Sequence, residues 1–223
     1  MAFNTLIFNL IAMKIPWHRI NNIDPSIKDK VGNILIYLST RITPLFLTKA
    51  LKLLYFIDEE SVKESGAPIT GLKHEAWRNG PVSREVFIEL HEIANNNGDS
   101  KSLSDCVEVR TVTDGHEDAS SFKIIPKKEF DNSEFSRYEL EIIDKVIEIY
   151  GNKSASRLID LVHEDGTPYS TVVEKNNLKE RFKNTAESDF PVDLYPLVAN
   201  DDSKRILYLS AQESFWFNKI VCK

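Results

Sequence analysis

The five histidines are the residues of this sequence with the widest chemistry, because imidazole can act as a base, a metal ligand or a hydrogen-bond partner near neutral pH. Two of them open the run His-Glu-Asp, at His116–Asp118 and at His163–Asp165. Neighbouring side chains on a helix point apart, and side chains in a polar turn are solvated. The spacing therefore does not favour a metal site at either run.

His163 is the more informative histidine because it ends an apolar helical stretch and precedes Gly166 and Pro168. A histidine at this position typically bonds the last carbonyl groups of the helix, and this structural role is the favoured interpretation. The alternatives are a hydrogen-bonding residue in a groove, or the base of a small hydrolase that also uses Glu164 or Asp165. The hydrolase alternative is weakened because the sequence has no recognisable nucleophile motif.

Acidic residues cluster in the run Asp58–Ser61. Paired carboxylates can do acid–base work when their environments differ, but a helix end beside Lys63 favours a solvated face. The sequence also lacks the phosphate-binding, dinucleotide-binding, nucleophile-elbow and zinc-protease motifs. We therefore assign no catalytic residue, no cofactor and no metal, and we expect a protein that is not an enzyme.

Two further pairs of residues have types that suit recognition. Lys52 and Tyr55 interrupt an apolar helical face, and they either reach out to water or line a concave surface. Trp77 and Arg78 stand just before Asn-Gly-Pro. Tryptophan and arginine are enriched at protein-binding hot spots, although a core anchor is the favoured interpretation of Trp77.

The composition is that of an acidic globular protein. The chain has 223 residues and a formal net charge of -6, which makes a nucleic-acid partner unlikely in the absence of a basic face. Cys106 and Cys222 lie far apart, as expected for free thiols in a reducing compartment. The apolar start of the chain is a poor signal peptide and is too short to span a bilayer. We expect a cytoplasmic protein without a membrane partner.

The elements that must position these residues are mostly helices. The strongest pattern predicts a central helix over about residues 44–65, capped by Thr43, started by Pro44 and stopped by Gly66. A link and a helix beginning at Pro81 follow, then a β-hairpin over about residues 106–125. Helix starts are predicted again at Ser136, Ser154 and Thr167, and a possible strand at residues 205–210. The predicted fold is mainly α: a compact multi-helix domain around the central helix, with one small hairpin.

One block of this sequence resembles the signature of the Panacea domain, the SocA-like antitoxin family. That signature runs from Lys-Leu-Leu-Tyr through Gly-x-Pro-Ile-Thr-Gly to Gly-Pro-Val before a helix. The matching parts are 52–55, 66–71 and 80–82, with residues 75–77 between them.

A second block, over residues 150–169, is similar to the family's segment with Tyr-Gly, Ser-Ala and a histidine ahead of Pro-Trp. Tyr169 departs from it by replacing the usual tryptophan, and Val162 replaces a polar residue. The resemblance covers residues 31–175, which we take as the Panacea domain. Residues 1–30 are then an N-terminal extension, and residues 176–223 are a C-terminal extension packed on the domain.

The resemblance implies an antitoxin, bacterial and in some relatives phage-associated, that neutralises a cognate toxin encoded nearby by direct protein–protein binding. An alternative is an adaptor that delivers the bound toxin to a protease. The candidate partner-binding residues are Lys52, Tyr55, Trp77, Arg78, Gly80, Pro81, His163 and Tyr169. An alternative of equal weight is that these residues only preserve the fold. The toxin contacts would then lie outside the signature, which would suit a family that binds many unrelated toxins.

Overall fold

The computed structural model describes residue 23 and residues 25–95, 103–113 and 120–221. The predictions made for the N-terminal stretch before residue 23, for the His116 run and for Cys222 lie outside these residues. Within the described part, the fold class is as predicted: a mainly α protein with small antiparallel β elements. None of the described helices is both long and apolar enough to cross a membrane.

A long buried helix forms the centre of the molecule. After helix α1 (Pro25–Arg41) and the two-residue strand β1 (Leu45–Phe46), helix α2 runs over Leu47–Ser65. The predicted start at Thr43 and Pro44 is wrong, because the next two residues pair with Ile124 and Lys123 as a strand instead of entering the helix. The predicted stop is confirmed, since Gly66 has a φ of +89° and its N–H donates to the Val62 carbonyl at 2.9 Å.

Two hairpins flank this helix. Strands β2 (His74–Trp77) and β3 (Gly80–Ser83) pair with each other, and β4 (Val107–Thr113) pairs with β5 (Ser120–Pro126). Strand β5 lies between β1 and β4 in a three-stranded antiparallel sheet. The hairpin predicted at residues 106–125 is confirmed.

The hairpin of β2 and β3 was not predicted. The helix predicted after Pro81 does form, but its predicted start is wrong. Pro81 pairs with Ala76 inside the hairpin, and helix α3 (Arg84–Ala94) begins three residues later. All eight strand positions are buried, so the alternation of polar and apolar residues that marks a half-exposed strand is absent.

The second half of the chain is helical. Helices α4 (Arg137–Tyr150), α5 (Ala155–Val162) and α6 (Pro168–Lys175) have the predicted side-chain caps, which are Ser136, Ser154 and Thr167. The short helix α7 (Leu178–Arg181) and the long helix α8 (Asp202–Val221) follow, and 3-10 turns lie at Asn132–Glu134 and Tyr195–Leu197. The strand predicted at residues 205–210 is wrong, because that segment lies inside α8.

Candidate functional site

All of the candidate residues except Tyr55 converge on the turn between β2 and β3. Arg78 and Asn79 form a two-residue connection, since Trp77 and Gly80 are the last paired positions of the hairpin. Gly80 has a φ of +101°, a conformation that glycine adopts without steric cost. A Cβ atom there would lie 2.7 Å from Val162 Cγ2 and 3.2 Å from Lys52 Nζ. The glycine therefore allows the central helix and α5 to approach the turn closely.

Lys52 holds the turn from the side of the central helix. Its side chain is buried, and Nζ donates to the Pro81 carbonyl at 2.8 Å. Burial lowers the pKa of Lys52 to about 7, because the core solvates an ammonium poorly. The alternative that its amine reaches water is thus excluded by the position of Nζ.

The second sequence block holds the same turn from the other side. Tyr169 is buried at the start of α6, and its hydroxyl donates to the Trp77 carbonyl at 2.7 Å. His163 caps the C-terminus of α5: Nδ1 lies 2.7 Å from the Ile159 carbonyl oxygen, and Nε2 lies 3.2 Å from that of Arg78. The two blocks therefore meet through carbonyl groups of one turn, by contacts between residues 85 and 92 positions apart in sequence.

Trp77 is a core residue. Only 5% of its surface is exposed, and its ring lies edge-on to Phe87 of α3 at 5.1 Å. The guanidinium of Arg84 sits over the same ring, also at 5.1 Å. Tyr55 lies at the other end of strand β2, where its ring contacts His74 at 5.3 Å. The favoured interpretation of Trp77 as a core anchor is confirmed.

Residues 185–192, which we call the C-terminal strap, run along the outer edge of β2. Backbone N–H groups of Ala76 and Arg78 donate to carbonyl groups of the strap at 2.9 and 2.8 Å, and Val192 donates back to His74 at 2.8 Å. The buried hydroxyl of Ser188 adds a bond to the Ala76 carbonyl at 2.5 Å. The strap thus satisfies backbone groups that the short hairpin leaves unpaired.

Arg84 links the strap to the hairpin by charge. Its Nε donates to Glu75 at 2.7 Å and its Nη1 donates to Glu187 at 2.8 Å. Burial and the nearby Glu75 raise the pKa of Glu187, against the lowering effect of Arg84. No role was predicted for Arg84, because its two carboxylate partners stand 9 and 103 residues away along the chain.

A buried polar network beneath the hairpin was also missed. The solvated face predicted for Asp58–Ser61 is wrong, because all four residues are buried. Asp58 accepts hydrogen bonds from the Thr70 backbone at 2.7 Å, from the Thr70 hydroxyl and from His74 Nε2 at 3.3 Å. A carboxylate with these partners tolerates burial, and it fixes the segment that leads into β2. Thr70 lies inside the quoted Gly-x-Pro-Ile-Thr-Gly motif, which was the available signal.

Most of the candidate side chains are buried, so the site presents a shaped surface to a partner and few reactive groups. Of the eight candidates, only Arg78 and His163 reach the surface. The other six are buried and can act on a partner only through the form of the turn: Lys52, Tyr55, Trp77, Gly80, Pro81 and Tyr169. Among the described residues, no cluster of three histidine, cysteine, aspartate or glutamate side chains could hold a metal ion.

The stretch of sequence that builds this site matches the model of a known protein family. The model for the SocA-like antitoxin, Panacea domain, matches residues 51–168, from the central helix to the first residue of α6. The chain belongs to this family. No curated protein and no solved structure matches the chain. Seven of the eight candidate residues lie within the Panacea domain match, and Tyr169 directly follows its last residue.

Proposed function

We propose that this chain is an antitoxin that neutralises a cognate toxin by direct, non-covalent binding. The observation that carries the proposal is the Panacea domain match over residues 51–168, whose two sequence blocks build one rigid turn. The outer side of that turn is formed by the half-buried Arg78 and Asn79 and the exposed His163, and it is the surface offered to the toxin. Neutralisation then works by occluding the toxin or holding it in an inactive form, in the cytoplasm.

The hydrolase alternative is disfavoured by the position of His163. A general base needs a ring nitrogen that faces the substrate, and here the two nitrogens lie 2.7 and 3.2 Å from backbone carbonyl oxygens. Delivery of a bound toxin to a protease is compatible with the same binding surface, and it stays a prediction.

The test is co-expression of this chain with the product of the adjacent open reading frame in a bacterial host. We expect the neighbouring product alone to stop growth and the pair to restore it. A harmless neighbour, or growth arrest that this chain does not relieve, would contradict the proposal. Repeating the test in a host that lacks its major cytoplasmic proteases separates the two binding models, since rescue that needs a protease supports the adaptor.

A further inference from the structure

Two side chains near the start of helix α8, Lys204 and Tyr208, attach the helix to the rest of the molecule. Tyr208 is buried, and its hydroxyl donates to Asp193 Oδ1 at 2.9 Å while accepting the Leu194 N–H at 3.3 Å. Lys204 Nζ donates to the Lys63 carbonyl at the end of α2, at 2.8 Å. These contacts fix the first two turns of the helix and therefore determine which face is turned outward.

The outward face carries four residues, spaced by four, three and four positions, which fall in one row on a helix. We call them the α8 ridge: Asp202, Ile206, Leu209 and Glu213. The two apolar members are 61% and 48% exposed, and the acidic members at the two ends are exposed as well. Asp202 also pairs with Arg205 one turn along at 2.8 Å, a surface ion pair that leaves the Asp202 side chain 81% exposed. At 1.5 Å per residue, the two acids lie about 16 Å apart along the helix axis.

A second copy of this chain is a poor occupant for the ridge. An antiparallel pairing that sets Ile206 against Leu209 also sets Asp202 against Glu213 at both ends of the contact. A parallel pairing in register sets each acid against itself. Both arrangements bring carboxylates together, and Arg205 offsets only one of the two acids on each copy, so the charges oppose association. The ridge is instead complementary to a partner surface that has an apolar centre and a basic group at each end.

We propose that the α8 ridge is the docking element for the toxin, and this inference rests on the proposed function. The ridge enters an apolar groove on the toxin, flanked by lysine or arginine side chains about 16 Å apart, as helices commonly bind in grooves. The ridge lies beyond residue 168, the last residue of the family match. An element outside the shared signature suits a family whose members discriminate between different toxins.

The test compares two substitutions on one helical turn. Ile206→Glu changes the ridge, whereas Leu207→Glu places the same group on a neighbouring face at a position 52% exposed. The probe is the product of the adjacent open reading frame, separated from the co-expressed complex under denaturing conditions and refolded. We expect Ile206→Glu to raise the Kd about 30-fold or more, as for a hot-spot residue, and Leu207→Glu to change it less than about threefold.

The outcomes separate the ridge from the antitoxin function itself. If the unsubstituted chain does not bind the probe, the proposed function fails and the ridge fails with it. If it binds and Ile206→Glu binds equally well, or if Leu207→Glu is equally harmful, only the ridge assignment is overturned. A free chain that is dimeric, and that Ile206→Glu makes monomeric in sedimentation, overturns it too.

A second variant guards against misfolding of the first. The charge reversal of Asp202→Lys with Glu213→Lys leaves the apolar centre of the ridge intact and alters exposed positions only. We expect it to slow association about tenfold at low salt with an unchanged circular dichroism spectrum. An unchanged association rate would show that the acids of the ridge do not face a basic partner.

Discussion

Lys52 places an amine inside the core, and its ionisation is therefore coupled to folding. Burial lowers its pKa to about 7 in the folded protein, while a lysine in the unfolded chain titrates near 10.5. Between these values the unfolded state binds more protons, so the free energy of unfolding rises with pH. Below pH 7 both states carry the proton, and the cost of the buried charge is present in full.

Replacing Lys52 with Met should remove this pH dependence. We expect the unfolding free energy of the native chain to gain several kcal/mol, up to about 5, relative to Lys52→Met between pH 7 and pH 10.5. Urea unfolding of both proteins at several pH values measures the difference between their unfolding free energies. The contributions of other titrating groups cancel in that difference. If the unfolding free energies of the two proteins change with pH in parallel, Lys52 is not a buried amine with a lowered pKa.

Gly80 is predicted to be the least replaceable residue of the turn. Gly80→Ala combines a positive φ with a Cβ atom 2.7 Å from Val162, so we expect a loss of about 3 kcal/mol or more. Gly166→Ala is the matched control, since its φ is +79° but nothing lies within 4 Å of the added atom. The control should lose only about 1 kcal/mol. If the two variants lose equal amounts of unfolding free energy in urea, close packing at the turn does not add to the cost of Gly80→Ala.

At the scale of elements, the hairpin of β2 and β3 depends on a segment far away in sequence. Ser188 of the C-terminal strap is 1% exposed and bonds the Ala76 carbonyl, so Ser188→Ala should cost about 1–2 kcal/mol. Ser203→Ala, at an exposed position of α8, should stay within about 0.5 kcal/mol. Melting temperatures of the two variants would decide, and an unchanged value for Ser188→Ala would contradict the bracing role of the strap.

The elements that local signals determine were predictable, and those that distant partners determine were not. The caps at Ser136, Ser154 and Thr167 need only neighbouring backbone groups, and all three form. The hairpin at Pro81 forms because β2 finds partners in the strap, about 110 residues later. Likewise, the short apolar run at residues 205–210 suits a strand as well as a helix by its composition, but it lies inside helix α8.

The same distinction applies to the candidate site. The resemblance gathered eight residues, and all of them except Tyr55 meet around one turn, but sequence patterns could not say which of them are buried. Lys52 and Tyr169 have polar ends that suit a surface as well as a buried bond to a carbonyl group. Arg84, Asp58 and the strap were missed because their partners are brought to them only by the tertiary structure.

At the scale of the whole molecule, the predicted domain boundary at residue 175 can be tested directly. A chain that ends there keeps the whole family match, but it loses the strap and with it the bonds to the backbone of Ala76 and Arg78. We expect this fragment to lose cooperative unfolding, because buried donors on β2 would be left unpaired. A fragment that melts cooperatively near the temperature of the full chain would show that residues 31–175 form an independent domain.

The central claim is that this protein acts by holding its partner rather than by altering it. Co-purification of the chain with the product of the adjacent open reading frame, followed by light scattering of the eluted species, measures this most directly. We predict one species that contains both proteins, chemically intact, in a fixed ratio. Rescue of growth with no such complex, or with a partner that is cleaved or modified, would contradict the claim.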